Sequence, residues 1–159
     1  MREVLYRGKR RDNGEWVEGY YIRTSCSEIE AVIIPTSAFA ERNRNLRLEV
    51  DEWWEVDPTT VGQDTGLTDK NGKKIFEDDI IEVHGLREIV MWHQEPGQWE
   101  NWNIGVIDEA RRKRAGYVGG SKTGYVAEHF ASVVGNAHDN PELLDGYQEW
   151  FKKRKGALR

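Results

Sequence analysis

The chain is poor in the residues that staple, span or coat. Among 159 residues there is one cysteine, Cys26, so no intrachain disulfide can form, and a reducing compartment fits. No apolar run approaches the roughly 20 residues that cross a bilayer. Met1 is followed by Arg2 and Glu3 rather than by a signal-peptide core, so the expectation is a soluble, cytoplasmic protein. A surplus of positive charge is also missing. Twenty-three basic residues against 28 acidic give a net charge of −5, which argues against a general nucleic-acid coat. The basic clusters at Arg7 to Arg11, Arg111 to Arg114 and Lys152 to Lys155 read as solvated faces. Cys26 itself has no patterned base to activate it and reads as a small apolar residue.

Catalytic motifs are equally sparse. The chain has no GxSxG, P-loop or GxGxxG motif, and Gly119-Gly120-Ser121-Lys122-Thr123-Gly124 has the residues of a phosphate loop in the wrong order. His84, His93, His129 and His138 do not pair at the i, i+4 spacing that places two ligands on one helical face. His138-Asp139 is the best single candidate for chemistry, although a turn in which Asn140 caps a helix explains it equally simply. Glu77, Asp78 and Asp79 lack the spaced ligands and glycine of a calcium loop. No metal and no cofactor is expected.

What the chain does have is extended structure. Val4 and Tyr6 alternate with Leu5 and Arg7; after Asp12-Asn13-Gly14, Trp16, Glu18, Tyr20 and Ile22 alternate against Val17, Gly19 and Tyr21, which is a hairpin. Glu30 to Ile34 is a short β-branched run closed by Pro35, and Leu46 to Val56 reads as a half-buried strand or a bent pair. Asp57-Pro58 breaks the run, so the expected boundary lies there, between a hairpin-rich subdomain at 1–58 and a second at 59–159. Asn71-Gly72 predicts a type I′ turn. Short strands follow at Asp79 to Val83, Glu88 to His93 and Trp99 to Val106, then a charged and glycine-rich connection, and Tyr125 to Val134 as a last strand.

Asn140-Pro141 offers an N-cap and a proline at the first helical position. Leu143, Leu144, Tyr147, Trp150 and Phe151 then form one apolar stripe, to be buried against the second subdomain or against another copy of the chain. Seven tryptophans are many for this length. Most should be core. Trp92, Trp99 and Trp102 are the candidate ligand-binding set: Trp99 and Trp102 lie three apart and point to opposite faces, so Trp92 and one of them can share an open face that stacks a base, grips a cation or anchors a peptide.

Three separated blocks resemble the YopX family of small phage and prophage proteins: RGKRRDNGEWVEGYYI at Arg7 to Ile22, VDPTTVGQDTGLTDKNGKKIFEDDII at Val56 to Ile81, and VVGNAHDNPELL at Val133 to Leu144. The chain departs from the family pattern twice. Glu77-Asp78-Asp79 replaces Glu-Gly-Asp, where Asp can still take a left-handed backbone, and Asp64 stands where an aromatic residue is expected. The resemblance carries a fold and a setting without an activity. It implies a mainly β protein, an N-terminal β-hairpin subdomain plus a C-terminal SH3-like small β-barrel of about Thr60 to Val134, ending in one amphipathic α-helix. The function expected is a non-catalytic binding or assembly module in the cytoplasm of a bacterial host. Its expected partners are a second copy, with Leu143, Leu144, Tyr147, Trp150 and Phe151 as the self-association stripe, or a phage or host protein; no membrane is involved. The alternatives are a nucleic-acid-binding small barrel and, less favoured, a metal-dependent hydrolase using His138, Asp139 and Glu77 to Asp79.

Overall fold

The computed structural model describes residues 3–24, 28–38, 40–42, 48–93, 98–103, 121–144 and 146–157. The chain divides into two compact units, 1–64 and 65–159, each with its own core.

In the first unit, β1 (Tyr6–Lys9) and β2 (Trp16–Arg23) form the expected hairpin, with Lys9 opposite Trp16 and Tyr6 opposite Gly19. Strand β3 (Ala31–Pro35) joins the far side of β2, and Pro35 sits at its last position, where a missing donor is tolerated. A small hairpin follows, β4 (Ala40–Arg42) with β5 (Leu48–Val50). Strand β6 (Trp54–Glu55) pairs with β3, and β7 (Gly62–Thr68) begins by pairing with β1, so the order is β6-β3-β2-β1-β7, all antiparallel. One face of this sheet closes over Ala31, Ile33 and Val56, none of them solvent-accessible, with Tyr6, Val17, Tyr21 and Val61 packed around them.

The second unit starts within β7, which pairs with β8 (Lys74–Phe76). The hairpin between them is present, but its turn is not type I′. Gly72 N–H donates to the Asp69 carbonyl at 2.9 Å and Asp69 N–H to the Lys73 carbonyl at 2.8 Å, with Gly72 at φ 80. That is a type I turn closed by a left-handed glycine bulge. The type I′ geometry occurs instead at His84-Gly85 (φ 51 and 78), between β9 (Asp79–Val83) and β10 (Leu86–His93), where Val83 pairs with Leu86.

Strands β9 and β10 are the middle of a five-stranded antiparallel sheet with β11 (Gln98–Asn103), β12 (Ser121–Lys122) and β13 (Ser132–Asn136), in the order β12-β11-β10-β9-β13. Both faces of its centre are buried. Ile81, Val83 and Val90 pack with Ile75, Ala127 and Ala131 on one side; Ile80, Ile89 and Met91 pack with Ala137, Leu144 and Phe151 on the other. Consecutive isoleucines at 80 and 81 serve opposite layers, as the period of two requires.

Two expectations for the C-terminal third are corrected. Tyr125 to Phe130 is not strand: Thr123–Phe130 is helix α1, seated through Ala127, and the last strand is the shorter β13. The single amphipathic helix is two pieces, a 3-10 turn at Pro141–Leu144 and helix α2 at Gln148–Ala157. Gly146 lies between them at φ 88, a left-handed conformation that ends a helical path. The structure is thus mainly β, built of antiparallel sheets, with short helices. The expected charged and glycine-rich connection, Asp108 to Thr123, lies outside the described residues as far as 120, as do Cys26 and Gly119-Gly120, and its last residues are instead β12 and the start of α1. Among the described residues no helix is long and apolar enough to cross a membrane.

Candidate functional site

Folding brings together two segments 60 residues apart, the turn at Glu77-Asp78 and the loop after β13. His138 Nε2 lies 3.1 Å from Asp78 Oδ2, with both side chains nearly closed to solvent. The His138 ring stands edge-on to Phe151 of α2, centroids 5.4 Å apart. Asp78 is also a backbone junction. Its N–H donates to the Val90 carbonyl and its carbonyl accepts from Ala137 N–H, both at 2.9 Å, and its φ of 68 is left-handed. The left-handed backbone expected at this aspartate is therefore present, and His138 meets the side chain that it carries.

Asn136 organises the loop. Its Oδ1 accepts from His138 N–H at 3.0 Å and Asp139 N–H at 2.9 Å, and its Nδ2 donates to Asp139 Oδ2 at 2.9 Å. Asn140 does more than precede a helix: its Oδ1 accepts from Asn136 N–H at 3.3 Å, folding the loop back on itself. Gly135 makes the space. A Cβ there would meet Asn140 Oδ1 at 2.4 Å and Leu143 Cδ1 at 3.0 Å. Asp79 Oδ2 accepts from Phe76 N–H at 2.8 Å inside the turn. Of the acids proposed for a metal hydrolase, then, Asp78 meets His138, whereas Asp79 and Asp139 hold local loop structure. Among the described residues no group of three or more His, Cys, Asp or Glu side chains is placed to hold a metal ion.

A second buried carboxylate, Asp69, was not singled out by the sequence pattern. It accepts from Asn71 N–H at 2.8 Å, Lys73 N–H at 3.0 Å and, across to β13, Val133 N–H at 3.0 Å. Burial pushes its pKa up, but the N–H groups of Val133, Lys73 and Asn71 together outweigh that and hold it below the usual carboxylate value. Its signal was legible as an Asx residue two before Asn71. Asn136 is the same kind of residue, two before His138. Of the other histidines, the His84 and His129 ring centroids lie 5.3 and 6.1 Å from that of Phe130, and the side chain of His93 lies outside the described residues.

The aromatic candidates separate. Trp92 is 39% exposed on β10, and Trp99 is its direct cross-strand partner, so the two positions share a face. Trp102 lies opposite Ile89, which is fully buried. Beyond these backbone positions, the side chains of Trp99, Trp102 and Trp150 lie outside the described residues. Four of the five residues expected to drive self-association are turned inward. Leu144 and Phe151 are buried in the core with Ile80, Ile89 and Met91, and Leu143 and Tyr147 pack partly buried against them. Docking a second copy on this stripe would require that core to open.

The first unit holds a basic and aromatic cluster. Arg7 and Lys9 lie over the Trp16 ring at 4.7 and 5.6 Å, and the Arg10 guanidinium stacks on Trp54 at 3.4 Å. Arg10 also pairs with Asp12, and Arg11 with Glu55 at 3.1 Å. Asp64, in place of the expected aromatic residue, donates its N–H to the Leu5 carbonyl at 2.8 Å and so extends the pairing of β7.

Fold and site together define a two-unit, mainly β protein in which buried carboxylates and amides act as loop fasteners. The YopX protein family model matches residues 5–145, and the chain belongs to that family. Its fold is similar to the crystal structure of protein EF1440 from Enterococcus faecalis, with a TM-score of 0.56 over 91% of this chain and 99% of that one, at 21% identity. No curated protein matches.

Proposed function

We propose that this YopX protein is a phage- or prophage-encoded, non-catalytic binding and assembly module of the host cytoplasm. In this reading the sheet of the second unit is a small-barrel relative, SH3-like in type, that serves as a scaffold. The observation that carries it is the fate of the reactive side chains. The groups best suited to acid–base work are engaged in structure: Asp78 meets His138, Asp139 accepts from Asn136 Nδ2, Asp79 accepts from Phe76 N–H, and Asp69 accepts from backbone N–H groups of its own turn and of β13. Large apolar side chains, in contrast, stand exposed, Tyr20, Ile22 and Trp92 on strands and Trp53 just before β6.

The test is a panel of hydrolase assays on the full chain, with and without added divalent cations, beside affinity capture from lysates of phage-carrying cells. Turnover that disappears in both His138→Ala and Asp78→Ala would sink the reading. A partner captured in stable stoichiometry, with no turnover, supports it. Nucleic-acid binding is the second reading, favoured by Arg7 and Lys9 over Trp16. It requires binding to single- or double-stranded DNA or RNA that falls steeply with salt.

A further inference from the structure

The chain contains Asn-Gly at Asn13-Gly14 and at Asn71-Gly72, and all four residues are exposed. Asparagine is chemically labile, most of all where glycine follows it, because glycine has no side chain to hinder ring closure. The glycine nitrogen loses its proton and attacks the carbonyl carbon of the Asn side chain. A C–N bond forms to give a cyclic imide, the side-chain amide C–N bond breaks, and ammonia leaves with the proton. Water then adds at one of the two imide carbonyls and opens the ring, to aspartate or to isoaspartate. Nothing is oxidised or reduced, and water is the only co-reactant.

The two turns hold these atoms differently. At Asn13 both ends of the side-chain amide are tied: Oδ1 accepts from Glu15 N–H at 3.0 Å, and Nδ2 donates to Glu15 Oε2 at 2.8 Å. At Asn71 the amide has a single long bond, from Nδ2 to Asp69 Oδ2 at 3.4 Å. Charge differs too. Lys70 and Lys73 flank Asn71-Gly72 with Asp69 beside them, a balance of one positive charge. Asp12 and Glu15 flank Asn13-Gly14 with Arg10 bonded to Asp12, a balance of one negative charge. The attacking nitrogen and the oxygen of the intermediate are both anionic, so positive surroundings favour Asn71. A unit charge about 7 Å away in water is worth roughly twofold in rate after screening, and the swing of two charges about fourfold.

We propose that Asn71 is a site of spontaneous deamidation, and that its conversion releases the edge of β13. Asp69 is the guard. Its carbonyl accepts Gly72 N–H, and its Oδ1 accepts the N–H groups of Asn71 and Lys73, so the attacking nitrogen is available only when the turn opens. The same turn clamps β13. Lys70 N–H donates to the Ala131 carbonyl at 3.2 Å, and Asp69 Oδ2 accepts Val133 N–H at 3.0 Å. Asp69 Oδ2 is thus shared between Val133 and the Asn71 amide. Aspartate at 71 puts a carboxylate oxygen where the amide N–H stood, and isoaspartate adds a backbone atom to the turn. Either product loosens the grip of Asp69 on Val133. The edge groups of β13 then meet solvent, open to pairing with another strand. This chemistry requires no partner and no ligand.

Ageing the full chain in warm, mildly alkaline buffer tests this without any variant. Chymotrypsin separates the two sites into peptides 7–16 and 68–76, and mass spectrometry reads the exchange of NH2 for OH in each. Conversion should run at least about fourfold faster at Asn71 than at Asn13 and rise with pH. In Asp69→Ala it should speed up several-fold at Asn71 alone. Hydrogen exchange should quicken at Lys70 and Val133 in the aged chain and in Asn71→Asp, with β2 and β3 unchanged. Asn71→Ser, which has no amide to lose, should age without that change. No conversion, or conversion at Asn13 as fast as at Asn71, overturns the proposal. So does a converted chain whose Val133 amide exchanges as before.

Discussion

Single residues in this protein hold backbone that the sheets alone would leave loose. Asp69 is the clearest case, since one carboxylate serves three N–H groups from the β7–β8 turn and from β13. Asp69→Ala should cost about 2–4 kcal/mol, measured as a shift in urea midpoint, because it removes three charge-assisted bonds and leaves part-buried donors without that acceptor. The pH dependence follows from the direction of the shift. With a folded pKa below the unfolded value of about 3.9, the carboxylate stabilises the fold at every pH above that value, and the contribution drains away as acid carries the protein down through the folded pKa. Urea midpoints between about pH 5 and 2 should fall less steeply for Asp69→Asn than for the native chain; equal slopes would deny the assignment. Asp78 sets a different balance. Its left-handed φ of 68 favours glycine, while its carboxylate favours His138. Asp78→Gly loses only the pair, whereas Asp78→Ala loses the pair and keeps the strain. Glycine should therefore be the more stable variant by about 1 kcal/mol, and thermal melts of the two decide it.

Among the elements, the loop from Gly135 to Leu144 depends on one missing methyl group. Gly135→Ala places Cβ on Asn140 Oδ1 and should destabilise the second unit by about 1–3 kcal/mol, with part of the loss recovered in Gly135→Ala/Asn140→Ala because the obstructing side chain is then gone. Chemical denaturation of the two variants measures it. Hairpins were the elements most readable from sequence. Period two at Trp16 to Ile22 survives in the structure because that strand turns alternate residues toward the core, whereas the short β-branched run at Asp79 to Val83 is a strand buried on both faces. Tyr125 to Phe130 misled because an aromatic and β-branched composition says strand, while the decisive residue, Ala127, is small enough to let a helix lie close on the sheet. The stripe at Leu143 to Phe151 was correctly read as apolar, but it is not one continuous helix: Gly146 breaks the path into two pieces, both of which pack on the same core. The meeting of Asp78 with His138 could not be read at all, because it is set by the pairing of β9 with β13.

At the scale of the whole chain, two cores imply two cooperative units. Ile33→Ala, in the first core, should cost about 2–5 kcal/mol there. Hydrogen exchange should quicken in β2 and β3 and stay slow in β9 and β10; a uniform increase would show that the chain unfolds as one. The central strands of the second unit carry a less obvious liability. Because Ile80 and Ile81 are wanted on opposite layers, sliding β9 by one position would still place an isoleucine in each layer, and greasiness alone barely distinguishes the right frame from the wrong one. The distinction falls to the acids beside them. Asp78 must find the His138 ring and Asp69 the Val133 amide, and a misframed sheet would leave either carboxylate entombed away from that partner. Polar side chains thus act here as the index marks by which an otherwise ambiguous sheet is lined up.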